Sequence, residues 1–306
     1  MARLIVTSLL ALSSIAGAWE APSYSGYRKV WQDTFGGNAG GSPNENNWNI
    51  LEGDLGVNNE LQVYTRNSRN LQVSGGNTLQ LVPWRDSSKP KGWTSGRIES
   101  KYTFTPENGK ITRVEAAIMF GESPTGNKQG IWPAYWMLGA AIRNGVDWPR
   151  CGEIDILETV NGILTGHGTV HCDVYPGGIC NEGTGIGSSI GIPNQGWHTW
   201  RVEIDRRSSN FRDQSINWYM DGQRFHQVTG ARIGNSEVWA SLAQRPLFFI
   251  LNVAVGGNWV CNCLCSPLSW ISNKADNLEQ PGYPNSNTHD GYGSRMEVAY
   301  VAHYVN

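Results

Sequence analysis

One stretch restricts the fold of this chain more than any other: residues 151–159, Cys-Gly-Glu-Ile-Asp-Ile-Leu-Glu-Thr. It sets three carboxylates, Glu153, Asp155 and Glu158, among the apolar Ile154, Ile156, Leu157 and Val160. Residues that are β-branched or large and apolar favour the pleated, half-buried surface of a sheet. Side chains alternate along a strand, so Glu153 and Asp155 share one face while Ile154 and Ile156 share the other. Strict alternation would drive Glu158 into the core and leave Leu157 beside the acids. One extra residue, a β-bulge, returns Glu158 to the acidic face and turns Leu157 inward. The sequence therefore predicts a bulged strand with one apolar and one acidic face.

That face suggests chemistry. With the bulge, the two glutamates lie about four strand steps apart, roughly 13 Å along the backbone. Their side chains can lean together to a carboxyl separation of about 5–5.5 Å, the spacing of a retaining glycosidase pair. Asp155 falls between them. Three carboxyls so close cannot all be ionised at neutral pH, so the cluster must hold a proton and keep a general acid loaded. The competing reading is a solvated acidic face on an ordinary strand.

Residues 1–18 read as a secretory signal. Arg3 is the charged start, residues 4–15 are largely apolar, and Ala16, Gly17 and Ala18 form a small-residue cleavage site. The apolar run is too short to span a membrane. The expected product is secreted and extracellular, a single domain over residues 19–306 with no linker or repeat dividing it. Cleavage removes one basic residue and no acid, so the formal charge stays close to the −2 of the whole chain. A nearly neutral surface argues against nucleic acid or anionic membrane as a partner. Residues 296–305 read as a strand without an apolar tail, so no lipid anchor is expected. A monomer is expected.

Only 16 % of residues are charged, while the chain has 37 glycines and 14 tryptophans. The glycines fit an all-β chain with many turns. The tryptophans exceed what a core needs, and flat rings with an N–H suit stacking on sugar faces. About two-thirds of them are expected in the core. Six cysteines, an even number in a secreted chain, suggest disulfides. Cys172 and Cys180 flank a turn-rich segment and are the easiest pair. Cys261, Cys263 and Cys265 alternate too closely to pair with one another, and one of them could reach Cys151. The sequence has no Asn-x-Ser/Thr acceptor for an N-glycan.

Strands are expected over residues 27–35, over 70–73 and 78–83 as a hairpin, and over 96–104, 110–119, 130–138, 166–172, 197–205, 215–220, 247–255 and 296–305. Trp132, Ala134 and Trp136 share one face of their strand. Residues 236–244 give the one expected helix, with Asn235 or Ser236 as its cap and Pro246 beyond its end. Residues 256–259 read as a loop. About a dozen short strands, one helix and many glycine turns predict an antiparallel sandwich.

With these motifs in hand, residues 152–158 resemble the signature of glycoside hydrolase family 16, in the version with a bulge before the second Glu. Residues 130–139 (Gly-Ile-Trp-Pro-Ala-Tyr-Trp-Met-Leu-Gly) look like the preceding strand of its laminarinase-type members. Residues 58–65 (Asn-Asn-Glu-Leu-Gln-Val-Tyr-Thr), 169–171 and 249–259 are similar to family stretches in the same order. The resemblance implies an all-β, concanavalin A-like jelly-roll sandwich of two antiparallel sheets with a concave substrate cleft. It implies Glu153 as nucleophile, Glu158 as general acid/base, and Asp155 as a neighbour tuning the nucleophile. Asn58, Arg97, Trp132, Trp136, His171 and Trp259 are implied to bind substrate. The implied activity is hydrolysis of internal β-1,3 bonds of β-glucan, with no cofactor.

Two departures from the family stand out. Many members bind a structural calcium through acids at positions that here look like Thr34 and Ala299, so the calcium site is expected to be lost or weak. Residues 260–265 (Val-Cys-Asn-Cys-Leu-Cys) replace the usual Gly or Pro continuation and could reshape one end of the cleft. The runners-up are a mixed β-1,3-1,4-glucanase and a glucan transglycosylase. The rival from another class is a lectin-like glucan-binding module.

Overall fold

The computed structural model describes residues 19–262 and 282–306, with side chains over 19–260 and 282–306. Eighteen strands occur among the described residues. The first eight are β1 (Arg28–Asp33), β2 (Trp48–Ile50), β3 (Gln62–Tyr64), β4 (Leu71–Val73), β5 (Leu79–Leu81), β6 (Trp84–Arg85), β7 (Trp93–Ser95) and β8 (Arg97–Ser100). The middle of the chain gives β9 (Ile111–Phe120), β10 (Ile131–Gly139), β11 (Glu153–Glu158), β12 (Thr165–His171) and β13 (Ile186–Gly191). Then come β14 (His198–Asp205), β15 (Ser215–Met220), β16 (Gln223–Thr229), β17 (Leu247–Val255) and β18 (Met296–Val305). Three helices intervene: α1 (Gly230–Ile233), α2 (Ser236–Ala243) and α3 (Asn258–Asn262).

Two antiparallel sheets face one another. One runs β16-β15-β14-β9-β18-β5-β4, with β1 also paired to β18, and the other runs β13-β12-β11-β10-β17-β8-β2. A third sheet of three strands, β3-β7-β6, contains the parallel pair β3–β7, so the two-sheet antiparallel expectation holds for the sandwich but not for this annex. The core lies between the large sheets and includes Tyr135, Ile154, Leu157, Trp200, Trp218 and Phe249. Every residue of β17 is buried.

The close approach of the two sheets is written into β12. A methyl group on Gly166 would overlap the Trp200 ring, and one on Gly168 would meet the Trp218 ring at 2.5 Å. Glycine on the inward face of this strand lets two large rings from the opposite sheet pack against it. His167, Thr169 and His171, alternating with those glycines, point the other way.

Several expectations need correcting. The helix at 236–243 forms as expected, capped by the Asn235 side chain, but α1 and α3 form as well, and α3 begins inside the expected loop at 256–259. The expected strand over 96–104 ends at Ser100, and Phe104 keeps only an isolated bridge to Leu247. The first strand is shorter than 27–35 because Phe35 takes a left-handed backbone, φ 50°. Fewer than two-thirds of the tryptophans are core: Trp48, Trp93, Trp132, Trp200, Trp218 and Trp239 are buried, and the other described ones keep exposed area. Cys172 and Cys180 form a disulfide. Among the described residues Cys151 is a buried free thiol. Its suggested partners are Cys263 and Cys265, outside the described residues, and Cys261, outside the described side chains. Residues 1–18 are also outside. No described helix is long and apolar enough to cross a membrane.

Candidate active site

The bulge is present. Against β10, Glu158 pairs with Ala134 and Leu157 with Tyr135, then the register shifts so that Asp155 pairs with Trp136. The same shift separates Asp155 from Glu158 along β12. Ile156 is the extra residue. Ile154, Ile156 and Leu157 are fully buried in the core. Glu153 and Glu158 stay half-buried on the outer face, with Asp155 buried between them. The backbone carbonyl of Asp155, at the bulge, accepts a hydrogen bond of 2.7 Å from the Trp218 indole, which reaches across from the opposite sheet. The core thereby anchors the irregular point of the strand.

Each acid has its own surroundings. The Glu158 carboxylate accepts from the Trp132 indole at 2.9 Å. Burial nevertheless pushes Glu158 up to about 7, and Glu153 and Glu60 add like charge. Burial also raises Glu153, but His171, Arg97 and a hydrogen bond with Trp148 pull it back. Asp155 is raised well above its ordinary value, by burial and then by the charges of Glu158 and Glu153. Its Oδ2 is buried without a hydrogen-bond partner. The three carboxyls thus favour shared protons over full ionisation.

The residues expected to bind substrate largely gather here. His171, on the neighbouring β12, pairs with Glu153 in register, and its Nε2 lies 3.4 Å from Asp155 Oδ2. Burial alone would lower His171, but the Glu182 hydrogen bond and the nearby carboxylates raise it to about 10. Trp136 donates to Asn252 at 2.8 Å, and the Arg97 guanidinium sits 5.1 Å from its ring. Arg97 itself is held by Glu99 at 2.7 Å. Trp259, from α3, packs edge-on against Trp132 at 5.3 Å and His167 at 5.2 Å. Asn58 stands at the rim. It is exposed, its side chain donates to Glu60, and its carbonyl accepts from the Asn258 backbone beside Trp259. Sequence reasoning missed four neighbours: Glu60, Trp148, Glu182 and Asn252. Glu60 and Asn252 sat inside stretches already singled out, 58–65 and 249–259, and Trp148 lies three residues before the acid stretch, so these three could have been found.

Among the described residues one group, Glu153, Asp155 and His171, brings potential metal-ligand atoms within 4.8 Å of one another. Within this group His171 Nε2 lies 3.4 Å from Asp155 Oδ2, and Nδ1 is turned away to Glu182 at 2.6 Å. At the suspected calcium positions, Ala299 is buried and offers no oxygen from its side chain.

A family model described as "XgeA-like, catalytic GH16 domain" matches residues 61–182. A β-glucanase of Rhodothermus marinus is 30 % identical over 265 residues, covering 82 % of this chain and 84 % of the relative. A glucan endo-1,3-β-glucosidase of Cryptopygus antarcticus is 32 % identical, covering 82 % of this chain and 86 % of the relative. The crystal structure of an endo-1,3-β-glucanase from Streptomyces sioyaensis superposes with a TM-score of 0.81 at 34 % identity, over 94 % of this chain and 99 % of that one.

Proposed function

We propose that this chain, which belongs to glycoside hydrolase family 16, is an endo-β-1,3-glucanase working by double displacement on the outer face of β11. The observation that carries the reading is the bulged acid face, with its two glutamates in unequal surroundings. Glu153 lies beside the cationic His171 and Arg97, which favour its anion, so it is the nucleophile. Burial, with Glu153 and Glu60 as like charges, holds the Glu158 proton near neutral pH against the pull of the Trp132 indole bond, so Glu158 is the acid.

In the first step the Glu153 carboxylate forms a bond to the anomeric carbon. Glu158 gives its proton to the departing O3 of the next glucose, and the glycosidic bond breaks. In the second step Glu158, now ionised, takes a proton from water, which displaces Glu153 and leaves the sugar with its original configuration. Asp155, protonated between them, can donate a hydrogen bond to the Glu153 carboxylate. Trp136 and Trp259 offer ring faces to sugars, the mostly buried Trp132 adds a small exposed edge beside them, and Arg97 and Asn252 offer polar contacts beside Trp136. No step uses a metal or cofactor. The protein acts outside the cell as a monomeric domain over residues 19–306, released from its leader, with β-glucan as partner.

The test is product analysis on laminarin and lichenan, with wild type and Glu158→Gln side by side. Shortening of laminarin to small oligomers, lost in the variant, is expected. Preferred cutting of lichenan would mean a mixed-linkage enzyme, and products longer than the substrate a transglycosylase. Binding without turnover would mean a lectin-like module.

A further inference from the structure

We infer that Glu182 is a positioning residue of the hydrolytic site, holding the His171 ring as a cation against Asp155 and Glu153. The inference rests on the glycosidase reading above and extends it to a residue outside the acid strand. Glu182 follows the Cys172–Cys180 disulfide loop and is buried. One carboxylate oxygen lies 2.6 Å from His171 Nδ1, and the other accepts from the Cys172 backbone N–H at 2.7 Å. The opposite ring nitrogen, Nε2, lies 3.4 Å from Asp155 Oδ2. Both nitrogens therefore face carboxyl oxygens. A neutral imidazole has one N–H and would turn a lone pair toward one of them, whereas the imidazolium offers a proton to each.

The loop is built to keep Glu182 in this place. The disulfide closes it, and the backbones of Gly177 and Glu182 pair across it. Gly185, with φ 72°, packs so near His171 that a methyl group there would stand 2.8 Å from the ring. The groups facing His171 are Glu153, Asp155 and Glu158 from β11, Glu182 from the loop, and the Trp148 ring at 5.6 Å. Arg97 acts on Glu153 from β8. The imidazolium stands between Glu182 and the acid strand, so the charge nearest the β11 acids is positive and favours their ionised forms. Glu182 therefore helps the nucleophile ionise, although it is itself an acid.

Glutamine at position 182 breaks this arrangement without changing its size. Its one oxygen can serve the Cys172 N–H, which leaves its NH₂ facing Nδ1. The ring must then accept there and becomes neutral. The experiment compares wild type, Glu182→Gln and Glu182→Asp on laminarin across pH, with ¹⁵N NMR of the His171 ring in the wild type. Glu182→Gln is expected to lose roughly 10- to 100-fold in kcat, the scale of a lost charged hydrogen bond. KM should stay within about twofold, and the acid limb of kcat/KM should move to higher pH. Glu182→Asp, which keeps the charge, should recover part of the rate. The wild-type ring should stay doubly protonated at pH 8. A Glu182→Gln enzyme with wild-type kcat and pH profile, or equal losses in both variants, would overturn the inference. So would a wild-type ring that is neutral at pH 7, a measurement that holds even if Glu182→Gln fails to fold. Failure of the wild type to cut any β-glucan would instead overturn the functional reading.

Discussion

The two outer faces of the sandwich both bury carboxylates, and they treat them in opposite ways. Behind the core, Glu115 on β9 accepts hydrogen bonds from the hydroxyls of Tyr24 (2.8 Å) and Tyr300 (2.7 Å), with Arg201 at 3.9 Å. Its neighbour Glu203 pairs with Arg113 at 2.7 Å. Both acids have more than one donor or cation at hand. On the β11 face three carboxyls crowd together, and His171 Nε2 stands 3.4 Å from Asp155 Oδ2 without closing a hydrogen bond to it. The first face is settled and the second is held in tension. Burial of acids is thus a structural device where donors exceed carboxylates, and a chemical one where they do not.

The largest break in this comparison comes from Glu158→Gln. It should lower kcat/KM on laminarin by roughly 10²–10⁴-fold, the usual contribution of a general acid. Above about pH 7, where Glu158 is ionised, the same change removes like charge from the cluster, so the melting temperature should rise there, a trade of stability against activity. Calorimetry beside a reducing-end assay checks both signs.

Glu115→Gln should do the reverse. Removing one partner of a buried ionic network costs about 3–5 kcal/mol. Urea unfolding should show the loss, while activity per folded molecule stays near wild type. A stability-neutral Glu115→Gln would erase the contrast between the faces.

The pH dependence sharpens it further. Glu158 titrates near 4.5 when unfolded and about 7 when folded, so the folded chain holds this proton more tightly. Its contribution is fully present below about pH 4.5 and is lost as pH rises through 7. Stability should therefore fall across that window, with a weaker fall in Glu158→Gln, and activity should decline above about pH 7. The smallest effect is expected from Trp218→Phe, which removes the indole bond to the Asp155 carbonyl. It should cost about 1–3 kcal/mol by urea unfolding, the penalty of a buried carbonyl left unpaired.

Much of the site was legible because the acid stretch conflicts with period-two alternation, and only a bulge resolves that conflict. The rings of Trp132 and Trp136 were legible from that alternation itself, being four residues apart on one strand. Glu182 was not. Its role depends on the disulfide loop folding back over β12, a path that no local periodicity encodes. The strand β13, Ile-Gly-Ser-Ser-Ile-Gly, was missed because it is a polar edge with little burial to pattern it. The short parallel pair β3–β7 is likewise set by long-range pairing rather than by local sequence.

The central claim is that the bulge sets Glu153 and Glu158 on one face as a nucleophile and acid pair. The most direct measurement is proton NMR of the first anomer released when the wild-type enzyme cuts laminarin, recorded before mutarotation. The account predicts the β-anomer, retention through a Glu153 intermediate. Initial release of the α-anomer would mean inversion, a wider carboxyl separation, and a different role for Glu153.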